Sequence, residues 1–272
     1  MADRTWHIDP GTYTYNGDWN WRTYFRSSRA RNTVTVDGHS QALAHRSFRF
    51  LFHPDRMESG ARLSDGIVVM DCRHRSYRFL GGIVHRRRVV IVPGRFLLVV
   101  DVLEGRGRHA FGQHWHFDPA VDVSVGEDGV ARAVPRGGEG VWFVPLAREG
   151  LVADLVSGRE NPIQGWTSRG FGRKIAAPCL TYAWQDALPT VQAMAVVADR
   201  MAGGTAPAVR AAAVADARGR AVPPDGALGL VVAAEGRTAL VLARFDAALA
   251  SATLAVDGEA FAAEETVKWR TP

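Results

Sequence analysis

The run "GGIVHRRRVVIVPGRFLLVVDVLEG", residues 81–105, decides the fold. Two β-branched, apolar stretches of strand length flank Pro93-Gly94, so the run reads as an antiparallel hairpin of two long strands. Outward from it the pattern repeats. "NTVTVDG" (32–38) alternates with period two and ends in a turn pair. "HAFGQHWHFDP" (109–119), "GVWFVPL" (140–146), "CLTYAWQ" (179–185) and "VQAMAVVAD" (191–199) each fit one strand. So do "GALGLVVAAEG" (226–236), "RTALVLARFD" (237–246) and "ATLAVDGEAF" (252–261). No stretch shows a capped helical period apart from the Ala-rich 206–217, which fits a strand equally well. Many short strands with regular turn signals predict an all-β fold, a large two-layer antiparallel β-sandwich. The Pro and Gly clusters at 135–140, 202–207 and 222–226 are short and read as loops, so 1–272 is taken as one domain, with 206–272 as a closing subsheet.

Composition fits that reading. Of 272 residues, 47% are hydrophobic and 22% charged, which excludes a disordered chain. No apolar run is long enough to span a bilayer, and the first residues lack the basic-then-apolar pattern of a signal peptide. Charge is unevenly spread. Residues 1–120 hold 18 Arg and no Lys against 11 acidic residues, whereas the remainder is slightly acidic. All nine His also fall within the first 116 positions, which puts the working surface in the first half. The preference for Arg reflects either genome composition or a polyanionic partner. Cys72 and Cys179 have no metal-spaced neighbours and read as small buried residues.

The segment "DPGTYTYNGDWNWRTYFRSSRARNTVTVDGHSQ" (9–41) crowds aromatics and arginines ahead of any evident core. Its order of Asp9-Pro10-Gly11-Thr12-Tyr13, then Arg26-Ser27-Ser28-Arg29-Ala30-Arg31-Asn32-Thr33-Val34, resembles the C-terminal domain of the heparinase II/III-like polysaccharide lyases, a group that includes alginate and oligoalginate lyases. Further similarity runs through 74–105 and, more weakly, through "GWTSRGFGRKIAAPCL" (165–180) and Leu188-Pro189.

What the resemblance implies is β-elimination on a uronate-containing acidic polysaccharide. That chemistry must neutralise the carboxylate, remove the C5 proton and protonate the departing glycosidic oxygen. A tyrosine can serve the last two roles, and Tyr24 and Tyr15 are the candidates, which spacing alone does not separate. Arginine meets a carboxylate through two hydrogen bonds. Arg22, Arg26, Arg29, Trp19, Trp21 and Asn32 are therefore the expected sugar-binding residues. The same pattern also fits aromatics plugging one end of a sandwich beneath snorkelling arginines.

The family's catalytic base sits mainly on an N-terminal α/α-toroid, and its structural zinc is held by an upstream His, the turn Asp and the His of a His-Asn pair. Here the turn Asp is Asp9, but the last position is Arg31, and a guanidinium cannot ligate metal. The expectation is thus no bound zinc and no other cofactor, with an Asp9–Arg31 ion pair in its place. The chain is expected to be a fragment lacking the toroid, incomplete for catalysis alone, with an acidic polysaccharide as partner and a periplasmic or extracellular setting. The alternative is a non-catalytic carbohydrate-binding or structural sandwich.

Three other features carry less. His114 and His116 lie two apart on a strand and face one side, which can begin a metal site or simply line a sheet. His74, Tyr77, His85 and Arg86-Arg87-Arg88 match a family strand pair, with Arg86 and Arg88 on one face and Arg87 opposite. The arginines serve either a basic groove or a solvated face. No nucleic-acid module or phosphate loop accompanies the charge, so neither nucleic acid nor membrane is an expected partner.

Overall fold

The computed structural model describes residues 6–46, 48–52, 57–199, 205–263 and 265–270, Phe52 by its backbone alone. In chain order the layer-forming strands are β1 (Val34–Val36), β2 (Glu58–Ser64), β3 (Ile67–Tyr77), β4 (Ile83–Val92), β5 (Phe96–Glu104), β6 (Arg108–His116), β7 (Val121–Val125) and β8 (Ala131–Pro135). They continue with β9 (Gly140–Pro145), β10 (Val152–Val156), β11 (Cys179–Ala187), β12 (Thr190–Asp199), β13 (Ala208–Ala212), β14 (Ala227–Ala234), β15 (Arg237–Arg244) and β16 (Val267–Arg270). An eight-stranded sheet runs in the order β2-β3-β4-β5-β12-β9-β8-β7. The sheet β1-β6-β11-β10 covers one of its faces and β13-β14-β15-β16 the other. The all-β antiparallel sandwich expected from the sequence is the fold observed, and the stack continues beyond two layers because the large sheet is covered twice.

The double cover explains the sequence of β5, which is apolar almost throughout instead of alternating. Phe96, Leu98, Val100 and Val102 pack with Leu228, Leu230 and Val241 of the C-terminal sheet. Val99 and Leu103 point the other way, towards Trp115, Leu180 and Trp184. A strand buried on both faces has no solvent side on which to place polar residues. Val92 pairs with Phe96 across Pro93-Gly94, the hairpin read from the sequence. The Ala-rich 206–217 contains strands, not a helix. "ATLAVDGEAF" folds as two short strands, Leu254–Val256 and Glu259–Phe261, that help seal the outer face of the C-terminal sheet through Leu254, Val256 and Phe261. Of the loop expected at 202–207, residues 202–204 lie outside the described residues. No helix among the described residues is long and apolar enough to cross a membrane.

One acidic residue interrupts β5. Asp101 is fully buried and accepts four hydrogen bonds: from His85 Nε2 (2.7 Å), Arg87 Nε (2.7 Å), Arg87 Nη2 (2.8 Å) and Gln113 Nε2 (2.7 Å). Gln113 belongs to β6, so the carboxylate ties the large sheet to the sheet above it. Burial opposes the charge, yet Arg87 and His85, by charge and hydrogen bond, hold the Asp101 carboxyl below the usual carboxylate range. The network extends backwards: Ser76 N–H donates to His74 Nδ1, and His74 Nε2 lies 3.1 Å from His85 Nδ1. With His74 Nδ1 accepting, its Nε2–H faces His85 Nδ1, and His85 Nε2–H is turned to Asp101. Arg86 and Arg88 occupy the opposite face, Arg86 donating to the Phe245 carbonyl and Arg88 held by Asp71 at 2.6 and 2.9 Å. The three arginines therefore form neither a free basic groove nor a solvated face.

Two predictions follow from the buried polar groups. Asp101→Asn strands the Arg87 charge and should cost about 3–5 kcal/mol of stability, read as a lower urea midpoint; a loss under 1 kcal/mol would show the pair to be dispensable. Burial lowers the His74 and His114 pKa values to about 3, so between their unfolded value near 6.5 and pH 3 the unfolded chain binds protons the native one does not. Stability should fall on acidification through that window by about 1.4 kcal/mol per pH unit per histidine. Urea unfolding at pH 7, 6, 5 and 4 measures the slope, and a flat profile contradicts it.

Candidate functional site

The N-terminal segment lies across one end of the small sheet. Ile8 N–H donates to the His116 carbonyl (3.0 Å), and the turn at 9–13 then meets a hairpin formed by Trp166–Gly170 and Arg173–Ala176. Ser168 N–H donates to the Pro10 carbonyl (2.7 Å) and Gly172 N–H to that of Tyr13 (2.8 Å). Gly11 has φ +85°, and a Cβ there would sit 2.2 Å from the Ser168 carbonyl oxygen, so the turn admits no side chain. Asp9 Oδ1 accepts from Gly11 N–H at 2.8 Å.

Beyond the turn comes a helix the sequence reading missed, α1 (Trp19–Arg26). Its signal was present: Asp18 is the N-cap, accepting from Asn20 N–H (2.9 Å) and Trp21 N–H (3.3 Å). Eight residues are too few to display a period against so many aromatics. The helix turns Trp21, Tyr24 and Phe25 towards a cluster with Tyr13 and Trp166, and leaves Trp19 46% exposed. A 3-10 turn, Ser28–Ala30, leads into β1.

The expected site residues divide into three groups. Tyr15 is 47% exposed, stacks on Phe48 and Phe171 (5.5 and 6.2 Å between centroids) and has the Arg22 guanidinium 5.3 Å from its ring centre. Trp19 is 46% exposed at the start of α1, and Arg29 is half-buried with no carboxylate at ion-pair distance among the described residues. Tyr15, Trp19 and Arg29 form the accessible group, whereas Arg22 is buried. The second group is interior. Tyr24 is 5% exposed, and its hydroxyl lies against the Gly165 and Trp166 N–H groups without a hydrogen bond of ordinary geometry. Burial pushes its phenol pKa up, and the side chain packs among rings, so of the two candidate tyrosines Tyr24 is the enclosed one. Trp21 is half-buried among the same rings.

The third group is structural. Arg26 donates to the Arg46 carbonyl (2.5 Å) and the Arg49 carbonyl (2.9 Å), pinning the hairpin formed by Leu43–His45 and Arg49–Phe52 to α1. Asn32 donates to the Ile8 carbonyl (2.9 Å), while its Oδ1 accepts from His116 N–H (2.8 Å) and faces His116 Nδ1 (3.1 Å). Both amide atoms thus make contacts inside the fold, which gives Asn32 a structural role in holding the N-terminal segment.

Arg31 Nε lies 3.3 Å from Asp9 Oδ2, the ion pair expected from the sequence. Its remaining nitrogens donate to the Ala30 carbonyl (2.7 Å) and the Phe25 carbonyl (2.8 Å), so one guanidinium joins the turn to the end of α1. No cluster of three His, Cys, Asp or Glu side chains suited to a metal occurs among the described residues, and a zinc does not fit the Asp9–Arg31 arrangement. His114 and His116 do face one side, as their spacing required, but their rings are occupied. His114 meets Thr35 Oγ1 (3.0 Å) and Thr181 Oγ1 (2.9 Å), while His116 Nε2 faces Cys179 Sγ (3.5 Å). Cys179 is buried as expected; Cys72 is only half-buried.

Sequence reasoning named Tyr13 among the rim aromatics but missed Lys174 and Trp166, which reach it from the 166–176 hairpin. The Lys174 ammonium lies 4.2 Å from the Trp21 ring centre, 5.3 Å from Trp166 and 5.8 Å from Tyr13.

The Asp-Pro-Gly turn, the short aromatic helix and the Trp-bearing hairpin thus meet at one end of the sandwich. Residues 1–185 match the family described as "Heparinase II/III-like, C-terminal", and the chain belongs to it. Among solved structures, the heparan sulfate lyase HepC from Pedobacter heparinus superposes with a TM-score of 0.67 at 18% identity, over 89% of this chain and 35% of that one. A heparinase III, the BT4657 gene product, gives 0.66 at 17% identity, over 89% and 34%. The chain thus spans about a third of the length of these lyases. Among curated proteins, none matches this sequence.

Gly11→Ala tests how the site is assembled. Strain at positive φ plus the clash with Ser168 should cost at least about 2 kcal/mol and loosen the 166–176 hairpin, seen as a lower Tm and altered tryptophan fluorescence. A variant melting like the parent would show that the turn does not clamp the hairpin.

Proposed function

We propose that this chain is the β-sandwich portion of an acidic-polysaccharide lyase. In this reading the Asp-Pro-Gly turn, α1 and the 166–176 hairpin form its sugar-facing surface, and the partner domain is a helical toroid that completes the cleft. The observation that supports the reading best is Tyr15: an exposed phenol with a guanidinium against its ring, on the stretch that most resembles the family. One phenol so exposed can take the C5 proton and return it to the leaving glycosidic oxygen. Arg29, with no carboxylate at ion-pair distance among the described residues, suits the uronate carboxylate whose neutralisation makes the C5 proton acidic. Trp19 offers a face for the sugar ring. Such a protein works in the periplasm or outside the cell, where acidic polysaccharides are met.

The chain alone should bind heparan sulfate or alginate weakly, ignore neutral dextran, and release no unsaturated uronate. With the helical domain supplied, unsaturated-uronate absorbance should grow, and Tyr15→Phe should lower turnover by about 10²-fold or more while sparing binding. Full activity in Tyr15→Phe would remove Tyr15 from the chemistry. A chain that binds acidic polymers yet never supports elimination, with or without that domain, would be a carbohydrate-binding sandwich.

A further inference from the structure

Resting on the reading just given, we propose that Lys174 is the specificity-determining cation of this surface, the group that grips the anionic substituent of a sugar acid. Three half-buried rings, Tyr13, Trp21 and Trp166, surround its ammonium at 4.2 to 5.8 Å. Aromatic faces attract a cation through their quadrupole but bring no counter-charge. The rings thus leave the ammonium without a counter-ion: no carboxylate stands at ion-pair distance among the described residues.

Most of the chain's other cations with a described environment near this surface are spent. Arg26 holds backbone carbonyls, Arg31 holds Asp9, and Arg169 holds Asp118. Lys174 is also one of only two lysines among 33 basic residues. A compact point charge fits between three rings, where a planar guanidinium would need a wider slot.

The box is also rigidly built. Trp166 Nε1 donates to the Arg159 carbonyl (3.0 Å) and its ring meets Trp21 edge-on at 5.1 Å. The hairpin carrying Lys174 is bonded to the Asp-Pro-Gly-Thr-Tyr run at Pro10 and Tyr13. A cation fixed beside aromatic faces matches a charged pyranose, whose C–H face packs on a ring while its carboxylate or sulfate reaches the ammonium. Partial burial strengthens that contact relative to a freely solvated lysine.

The test is calorimetric titration of the chain with heparan sulfate, alginate and dextran at two salt concentrations, using wild type, Lys174→Met and Lys174→Arg, each with a thermal melt. Met preserves the packed stem and removes the charge. The expected result is a Tm unchanged or raised, affinity for the acidic polymers reduced about 10-fold, and a shallower salt dependence, with Arg recovering part of the loss. A loss confined to heparan sulfate identifies sulfate as the group gripped; an equal loss on alginate identifies carboxylate. Lys174→Met binding as wild type does would overturn the assignment. So would a lowered Tm with unchanged salt dependence, which marks a packing residue. Wild type binding neither acidic polymer would instead defeat the underlying reading of the surface.

Discussion

The structure turns on a single buried carboxylate. Asp101 stands in the middle of an apolar strand covered on both faces, yet all four of its lone-pair directions are filled. An isolated charge in that position would be prohibitive, and Arg87 makes it tolerable by meeting it through two parallel hydrogen bonds. Because Gln113 comes from the opposing sheet, the network fixes the relative placement of two layers that apolar contacts alone would leave free to slide. Arg87 then reaches further, donating to the Asn32 carbonyl at 2.5 Å.

That contact links the core to the candidate site. Asn32 is where the N-terminal segment is locked down, bonded at once to Ile8, to His116 and, through its carbonyl, to Arg87. Upstream, Arg31 ties the Asp9 turn to α1, and Gly11 lets that turn close against the 166–176 hairpin. Tyr15 and Trp19 lie just before and on α1, which Arg26 and Arg31 tie to its neighbours, and Lys174 lies on a hairpin joined to the turn by backbone hydrogen bonds. The buried rings Tyr24 and Phe25 are the floor under them, which is why a tyrosine at an attractive spacing belongs to the core.

The strands were legible because their signals are local: Val and Ile runs, Pro93-Gly94 and Asp-Gly turns, two-residue alternation. The ion pair Asp9–Arg31 was legible because a family position for a metal ligand held a guanidinium. Less visible was anything decided by the third dimension. Tyr15 and Tyr24 look alike in sequence, and only packing tells the open phenol from the sealed one. Lys174 gave no signal, since its rings come from positions 13, 21 and 166. Asp101 could have been noticed: a lone acid inside an apolar strand, facing a neighbouring strand with three consecutive arginines, calls for a buried pair. Helix α1 was hidden by its shortness and disclosed only by its Asp18 cap.

The central claim is that the turn, α1 and the 166–176 hairpin make one sugar-acid surface. The chain's eight tryptophans offer a direct reading, since each indole N–H gives its own resonance and they are spread over every layer. Titration with a heparan sulfate oligosaccharide, followed by NMR, should shift the indole signals of Trp19, Trp21 and Trp166 together while leaving those of Trp142, Trp184 and Trp269 in place. Shifts at the latter three alone, or at none of the eight, would contradict the account.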